Sequence, residues 1–344
     1  MSDRVKWIDA AKGIGIILVV MSHAPIHDSI KNFLFAFHMP MFFYLSGIVY
    51  KTSSLPTSTF ILKKARGLLL PYFIFSFITY IVWFFVTRHF PFTSGDQVDP
   101  IVPFSGIFIS TPVDYQLTYN PAIWFLTCLF VVEVLFYLYQ RLSKGRWLPI
   151  LLIGCGFIGY LSSIIISSNV LPWSILVALT AIVFYGLGYA TKHLWKSYSW
   201  RSVLIVGAAL YAITFIAQGL NTERIDMRGN IYGEIWYFYI GATAGLIATI
   251  LLAHKLARFH YLVYLGQYSI VILLLHFPAL NLMKASVYYG LNMEMAETTT
   301  LPWTLFYTVS TLLLMVPCII FLKKYPFLLG KKKPKKSQRT VKPA

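Results

Sequence analysis

Long apolar runs separated by short, mostly basic stretches fill the chain from about residue 8 to about residue 322. Crossing about 30 Å of hydrocarbon takes roughly 20 apolar residues in a helix, and runs of that order fall near 8–26, 33–50, 67–88, 121–140, 147–167, 171–191, 202–219, 234–253, 261–281 and 302–322. The fifth and sixth are nearly continuous. No run shows the period-2 polar alternation of a barrel wall, and a backbone exposed to lipid must satisfy its own hydrogen bonds, so each run is expected to be a helix. The pattern predicts an all-α, polytopic integral membrane protein with about ten transmembrane helices.

Composition agrees, with 58% hydrophobic and only 12% charged residues in 344, too little polar surface for a soluble globule of this length. The net charge of +17 raises nucleic acid as a partner, but the basic residues sit between apolar runs and form no legible binding module. Topology accounts for them instead. With ten spans, 24 of the 29 Lys and Arg residues fall on the side of the two termini, leaving Lys31, Arg88, Arg224, Arg228 and Lys284 opposite. The positive-inside rule then puts both termini in the cytoplasm, with the chain multi-pass in an inner or plasma membrane among its lipids. The charged start, Met1 to Lys12, resembles a signal peptide, but no small-residue cleavage site follows, so the first segment is expected to stay. Residues 330–344 read as a basic, disordered cytoplasmic tail beside a transmembrane domain of residues 1–329. Cys128, Cys155 and Cys318 all lie in apolar runs and suggest packing rather than a disulfide or zinc site.

Ionisable residues inside hydrocarbon are costly and mark sites, pathways or partners. His23 ends the first run, about 9 Å outward of its midpoint at 1.5 Å per residue; His38 and His276 come out about 5 Å and about 7 Å outward in the second and ninth spans. Three histidines from three helices therefore share a depth. Each can instead be a packed histidine bonded to a carbonyl, and a metal site on His23 and His27 is opposed by Pro25 between them. Asp9, at the other end of the first helix, is about 21 Å from His23 and has an ordinary role as an N-terminal helix charge. Lys12 and Arg66, with Lys63 and Lys64, make a cluster at the basic side, able to hold a phosphate-rich ligand or simply to set topology; topology is the preferred reading for Lys63 and Lys64. Lys12 lies about 16 Å from His23 on one helix face, a separation comparable to an extended pantetheine arm. Glu133, the one carboxylate well inside a span, is expected to face the bundle and to bond an Arg or Tyr. The outer connection from His89 to Asn120 carries Asp96, Gln97, Asp99, Asp114 and Gln116, which suits either sugar contact or a plain polar loop.

Six pieces, in order along the chain, resemble the membrane acyltransferase-3 family, and in particular its branch for O-acetylation of fucose and of enterobacterial common antigen. They are Ile8-Asp9-Ala10-Ala11-Lys12-Gly13-Ile14 with His23 fourteen residues after Asp9; Phe37-His38-Met39-Pro40-Met41-Phe42-Phe43-Tyr44-Leu45-Ser46-Gly47; Lys63-Lys64-Ala65-Arg66 with Leu70-Pro71-Tyr72; Ala122-Ile123-Trp124-Phe125-Leu126; Asp226-Met227-Arg228-Gly229-Asn230-Ile231-Tyr232-Gly233; and Leu275-His276-Phe277-Pro278.

The resemblance implies an O-acyltransferase, most simply an O-acetyltransferase, that moves an acyl group from cytoplasmic acyl-CoA to a hydroxyl of an envelope or extracellular glycan or lipid-linked sugar. It implies His23 as catalytic base and donor contacts at Lys12, where many members carry arginine, and Arg66. Trp124 and Tyr72 are expected to line a channel with Glu133 and His276, and His38 to polarise the thioester carbonyl or orient His23. No metal and no permanently bound cofactor is expected; acetyl-CoA or another acyl-CoA is a co-substrate. With no appended soluble domain in this sequence, acceptor recognition is expected to fall to the spans and outer loops. The alternative is a polysaccharide exporter or flippase with a histidine-lined path.

Overall fold

The computed structural model describes residues 5–93, 95–111, 115–166, 171–196 and 198–331. Arg4, Asp114 and the tail beyond Lys331 lie outside the described residues. Among the described residues the chain is helical, the only strand-like pairing being an isolated bridge between Asp226 and Ile231.

Among the described residues ten long helices overlap the ten apolar runs: α1 (Lys6–His23), α2 (Asp28–Ile48), α3 (Thr57–Phe85), α5 (Trp124–Ser143), α6 (Leu148–Ile165), α7 (Ile175–Thr191), α8 (Trp200–Leu220), α9 (Ile235–Leu256), α11 (Ser269–Leu291) and α12 (Leu301–Lys324). Two short ones, α4 (Ile101–Ile109) and α10 (His260–Gln267), complete the set. Eight candidate segments, α3, α5 to α9, α11 and α12, with the α7 segment counted from Pro172, are long and apolar enough to cross a membrane. α1 falls short of that criterion because Lys6, Asp9 and Lys12 crowd its first half, and α2 because polar positions dilute it. α5 and α9, like the segment containing α7, bury 61% of their most apolar stretch, against 22% for α6 and α8; the former are inner helices and the latter lie at the rim with most of their apolar surface exposed. α1 runs through the middle, touching α2, α9, α10, α11 and α12.

Three boundaries differ from the sequence reading. The expected span 261–281 is broken at Tyr268 (φ −111°, ψ 17°), so α10 is a separate short helix and the long one runs to Leu291, taking in Lys284. α3 starts a full ten residues early, which puts Lys63, Lys64 and Arg66 on helix rather than in a loop. The outer connection is not simply polar: Ile101–Ile109 is an apolar helix too short to span, tied to α3 by the Tyr72 hydroxyl, which donates to the Ile107 (2.9 Å) and Gly106 (3.3 Å) carbonyls. Its polar residues largely serve the connection itself. Asp96 contacts His89 at 2.7 Å, Asp99 accepts from the Ile101 amide at 3.0 Å, and Gln116 accepts from Thr111 at 2.7 Å.

Helix contacts are made through small residues, as expected where lipid removes most of the hydrophobic drive for helices to associate. Gly47 of α2 lies against the Tyr185 carbonyl of α7, and Gly188 of α7 against the Tyr44 carbonyl of α2; a Cβ at either would collide with backbone. Gly13 of α1 and Gly266 of α10 face each other's helix in the same way, against the Leu262 and Asp9 carbonyls. One proline opening is closed by a side chain. Pro278 leaves the Leu274 carbonyl without its usual helical donor, and the Asn120 amide supplies one at 2.9 Å. Gly188→Leu is expected to force α2 from α7 and cost at least the 1–3 kcal/mol typical of overpacking, seen as a lower midpoint in a thermal unfolding scan of the detergent-solubilised protein.

Candidate active site

α1, α2, α11 and the α8–α9 connection meet around a cavity of about 270 Å³ lined by His23, His38, Phe35, Trp124, Phe277, Lys31, Arg224, Asp226 and Arg228, with Met39 and Leu273 at its floor among other residues. Of the three histidines of common depth, His23 and His38 line it and His276 is packed against His23. The His23 and His276 ring centroids are 5.4 Å apart at a 44° tilt, Phe277 meets His23 edge-on at 5.9 Å, and Phe35 bridges His23 (6.4 Å) and His38 (5.2 Å). His23 ends its helix, and its own carbonyl accepts from the Lys284 ammonium at 3.4 Å, a cation at the negative end of the helix dipole. The following turn is pinned by Thr304 of α12, whose hydroxyl donates to the Pro25 carbonyl at 2.7 Å.

The other two histidines are oriented from their own helices. His38 Nδ1 bonds the Leu34 carbonyl, and His276 Nδ1 those of Ile272 (2.9 Å) and Leu273 (3.0 Å). A carbonyl only accepts, so Nδ1 carries the proton in both rings, and each neutral ring presents Nε2 as an acceptor. The buried His276 Nε2 has no hydrogen-bond partner. His27 turns elsewhere, accepting from the Ser29 amide as the cap of α2. Among the described residues no group of three His, Cys, Asp or Glu side chains is placed to hold a metal.

A second cavity of about 130 Å³ extends toward the other end of α1, lined by Lys12, Ile16, Phe42, Ser46, Phe125, Leu129 and Ser269, and again by Met39 and Leu273. The two cavities thus abut through Met39 and Leu273, with His23 in one and Lys12 in the other. The chain matches the acyltransferase domain family over residues 5–320. It belongs to the acyltransferase-3 family. No curated protein and no solved structure matches it.

The remaining expected site residues of this acyltransferase fall in several places. Trp124 lines the histidine cavity. Tyr72 is fully buried and serves as the strut to α4. Arg66 lines a shallow surface cleft with Thr59, Lys63 and Leu70, apart from the Lys12 cavity. Asp9 accepts from Gln267 of α10 at 3.3 Å, which ties down the end of α1 opposite His23. Glu133 forms an ion pair with Lys64 at 2.8 Å, and Lys12 is near enough to act on it electrostatically; Lys64 is therefore more than a topology signal. Lys31, Arg224 and Arg228 also line the site; in the sequence Lys31 and Arg224 stand out only as outer-side charges, and Arg228 also as part of the Asp226–Gly233 piece. The signal was their minority: four of the five basic residues off the predominantly basic side, Lys284 included, gather at His23.

Breaking a buried pair from one side leaves an uncompensated charge, typically at 3–5 kcal/mol, whereas replacing both partners is often neutral. Lys64 is 27% exposed, so Glu133→Ala is expected near the lower end, about 2–3 kcal/mol once screening by water is allowed for. The double change Lys64→Met with Glu133→Leu should recover most of it in the same unfolding measurement.

Proposed function

We propose that this chain is an O-acyltransferase that takes acyl groups from cytoplasmic acyl-CoA, most simply acetyl-CoA, and places them on a hydroxyl of a glycan or lipid-linked sugar reached from the outer side of the cell membrane. Both termini are cytoplasmic in this reading, following the charge asymmetry. The observation that carries it is the pair of abutting cavities along α1, one with Lys12 and the other with His23. A nucleotide held at the Lys12 end by its phosphates can send a pantetheine arm past Ser46, Met39 and Leu273 toward His23. Lys12 presents a point charge rather than a guanidinium fork, and Lys64 with Glu133 holds the neighbouring charge balance.

In the chamber, neutral His23 takes the proton from the acceptor hydroxyl as its oxygen attacks the thioester carbonyl carbon. The C–S bond then breaks, the thiolate takes the proton back from the imidazolium, and the products are the ester and free CoA. His276 Nε2, buried, unpartnered and on a ring 5.4 Å from His23, is the acceptor placed to orient His23 directly or through one water. His38 donates its proton to the Leu34 carbonyl, so in the neutral state its Nε2 accepts. That leaves it without a proton for the thioester carbonyl and suits it to accept from a second, neighbouring hydroxyl of the acceptor, while the attacking hydroxyl donates to His23.

His23→Ala should reduce acyl transfer by about 10²–10⁴-fold, the usual contribution of a general base, with thermal stability kept. Mass spectrometry of envelope glycans from cells carrying the native gene, a deletion and His23→Ala reads this directly. Native acylation levels in the His23 variant rule out its role as base; unchanged acylation but missing surface glycan in the deletion points to an exporter instead. Met39→Trp should plug the junction and depress transfer at least tenfold, while acetyl-CoA still binds at the Lys12 end in equilibrium dialysis.

A further inference from the structure

The histidine cavity carries more positive charge than an acceptor of neutral hydroxyls requires. Lys31 of α2, Arg224 and Arg228 all line it, and its one carboxylate is Asp226. Asp226 is already engaged: Oδ1 accepts from the Arg228 amide at 3.0 Å and Oδ2 lies 3.4 Å from Arg228 Nη2. Among the described residues neither Lys31 nor Arg224 lies within ion-pair distance of a carboxylate, and the two are near enough to repel one another. Arg224 is steadied instead by the Phe35 ring, 5.4 Å from the guanidinium carbon, and Phe35 also packs on His23 and His38. The loop that presents both arginines is firmly set. Asp226 and Ile231 exchange backbone hydrogen bonds at 2.9 and 3.0 Å, and the Asn221 amide donates to the Tyr232 carbonyl at 2.9 Å.

Like charges gathered in a half-enclosed site repel and lose hydration, and an anion between them removes both penalties. Guanidinium groups pair with planar or tetrahedral oxyanions through two donors at once. We propose that the acceptor carries an anionic oxygen group, a phosphate or a carboxylate, near the hydroxyl to be acylated, and that Lys31, Arg224 and Arg228 bind it and so aim that hydroxyl at His23. This rests on the reading that the cavity receives an acyl acceptor, and it names that acceptor's chemical class.

The test uses the full chain in nanodiscs of neutral phosphatidylcholine with three probes: glucose 1-phosphate, glucuronic acid and methyl glucoside. Equilibrium binding is measured calorimetrically without acyl-CoA, and acyl transfer and CoA thiol release are measured separately with acetyl-CoA. At least one anionic probe is expected to bind tenfold or more tighter than methyl glucoside, with the advantage shrinking as salt rises and the Debye length falls from about 10 Å toward about 3 Å. The phosphate and carboxylate arms show which oxyanion is preferred. Arg224→Gln combined with Lys31→Gln should raise the acceptor KM tenfold or more while the acetyl-CoA KM stays fixed, and Arg224→Lys should restore part of the loss. Equal binding of all three probes, or an acceptor KM unmoved by the double variant, overturns the charged subsite. Transfer to methyl glucoside as good as to the anionic probes overturns it too, yet leaves the acyltransferase reading standing. Charge-dependent binding with acetyl-CoA neither bound nor cleaved supports the subsite and overturns the acyl-CoA reading alone.

Discussion

Backbone-to-backbone contact between α1 and α10 sets the position of everything the site uses. Gly13 and Gly266 let each helix reach the other's carbonyls, and Gln267 ties the Asp9 carboxylate at the same level. This fixes the axial position of α1. At its far end Lys284 holds the His23 carbonyl and Thr304 the Pro25 carbonyl, so the helix is clamped at both ends. A slip of one residue would turn His23 through about 100° and lift it about 1.5 Å, away from His276 and out of the shared cavity.

Along that clamped helix the chemistry is divided by depth. Lys12 belongs to a narrow cavity with apolar walls and two serines, and His23 to a wider one with charged walls; Met39 and Leu273 belong to both. The charges differ in kind as well as place. Near Lys12, Glu133 and Lys64 compensate each other inside the bundle. Near His23 the cations outnumber the single lining carboxylate, leaving electrostatic room for an anion.

The apolar runs and the histidines' shared depth were readable because both follow from linear geometry. A helix rises 1.5 Å per residue whatever surrounds it, so counting outward from each midpoint put His23, His38 and His276 near one level, even though the ninth span had been placed too early. The partners of the pairs were not readable. Tyr72, grouped with the channel from its motif, buries its hydroxyl against α4, and Arg66, grouped with Lys12, faces a separate cleft. Both contacts were hidden for one reason: a helical sequence gives depth and a relative face, but not which neighbour that face meets.

The sequence by itself determined that the chain is helical, apolar along its length, asymmetric in positive charge, and equipped with titratable groups at two depths of its first helix. Each of these follows from residue type and spacing alone. Only the tertiary structure decided that His23 and His38 share a chamber with His276 packed behind His23, that Lys12 and His23 line adjoining cavities, that Glu133 pairs with Lys64, and that the minority cations converge on His23. Those facts depend on how helices are rotated and packed against one another, and that is fixed by glycine contacts and a proline-freed carbonyl between residues more than a hundred positions apart.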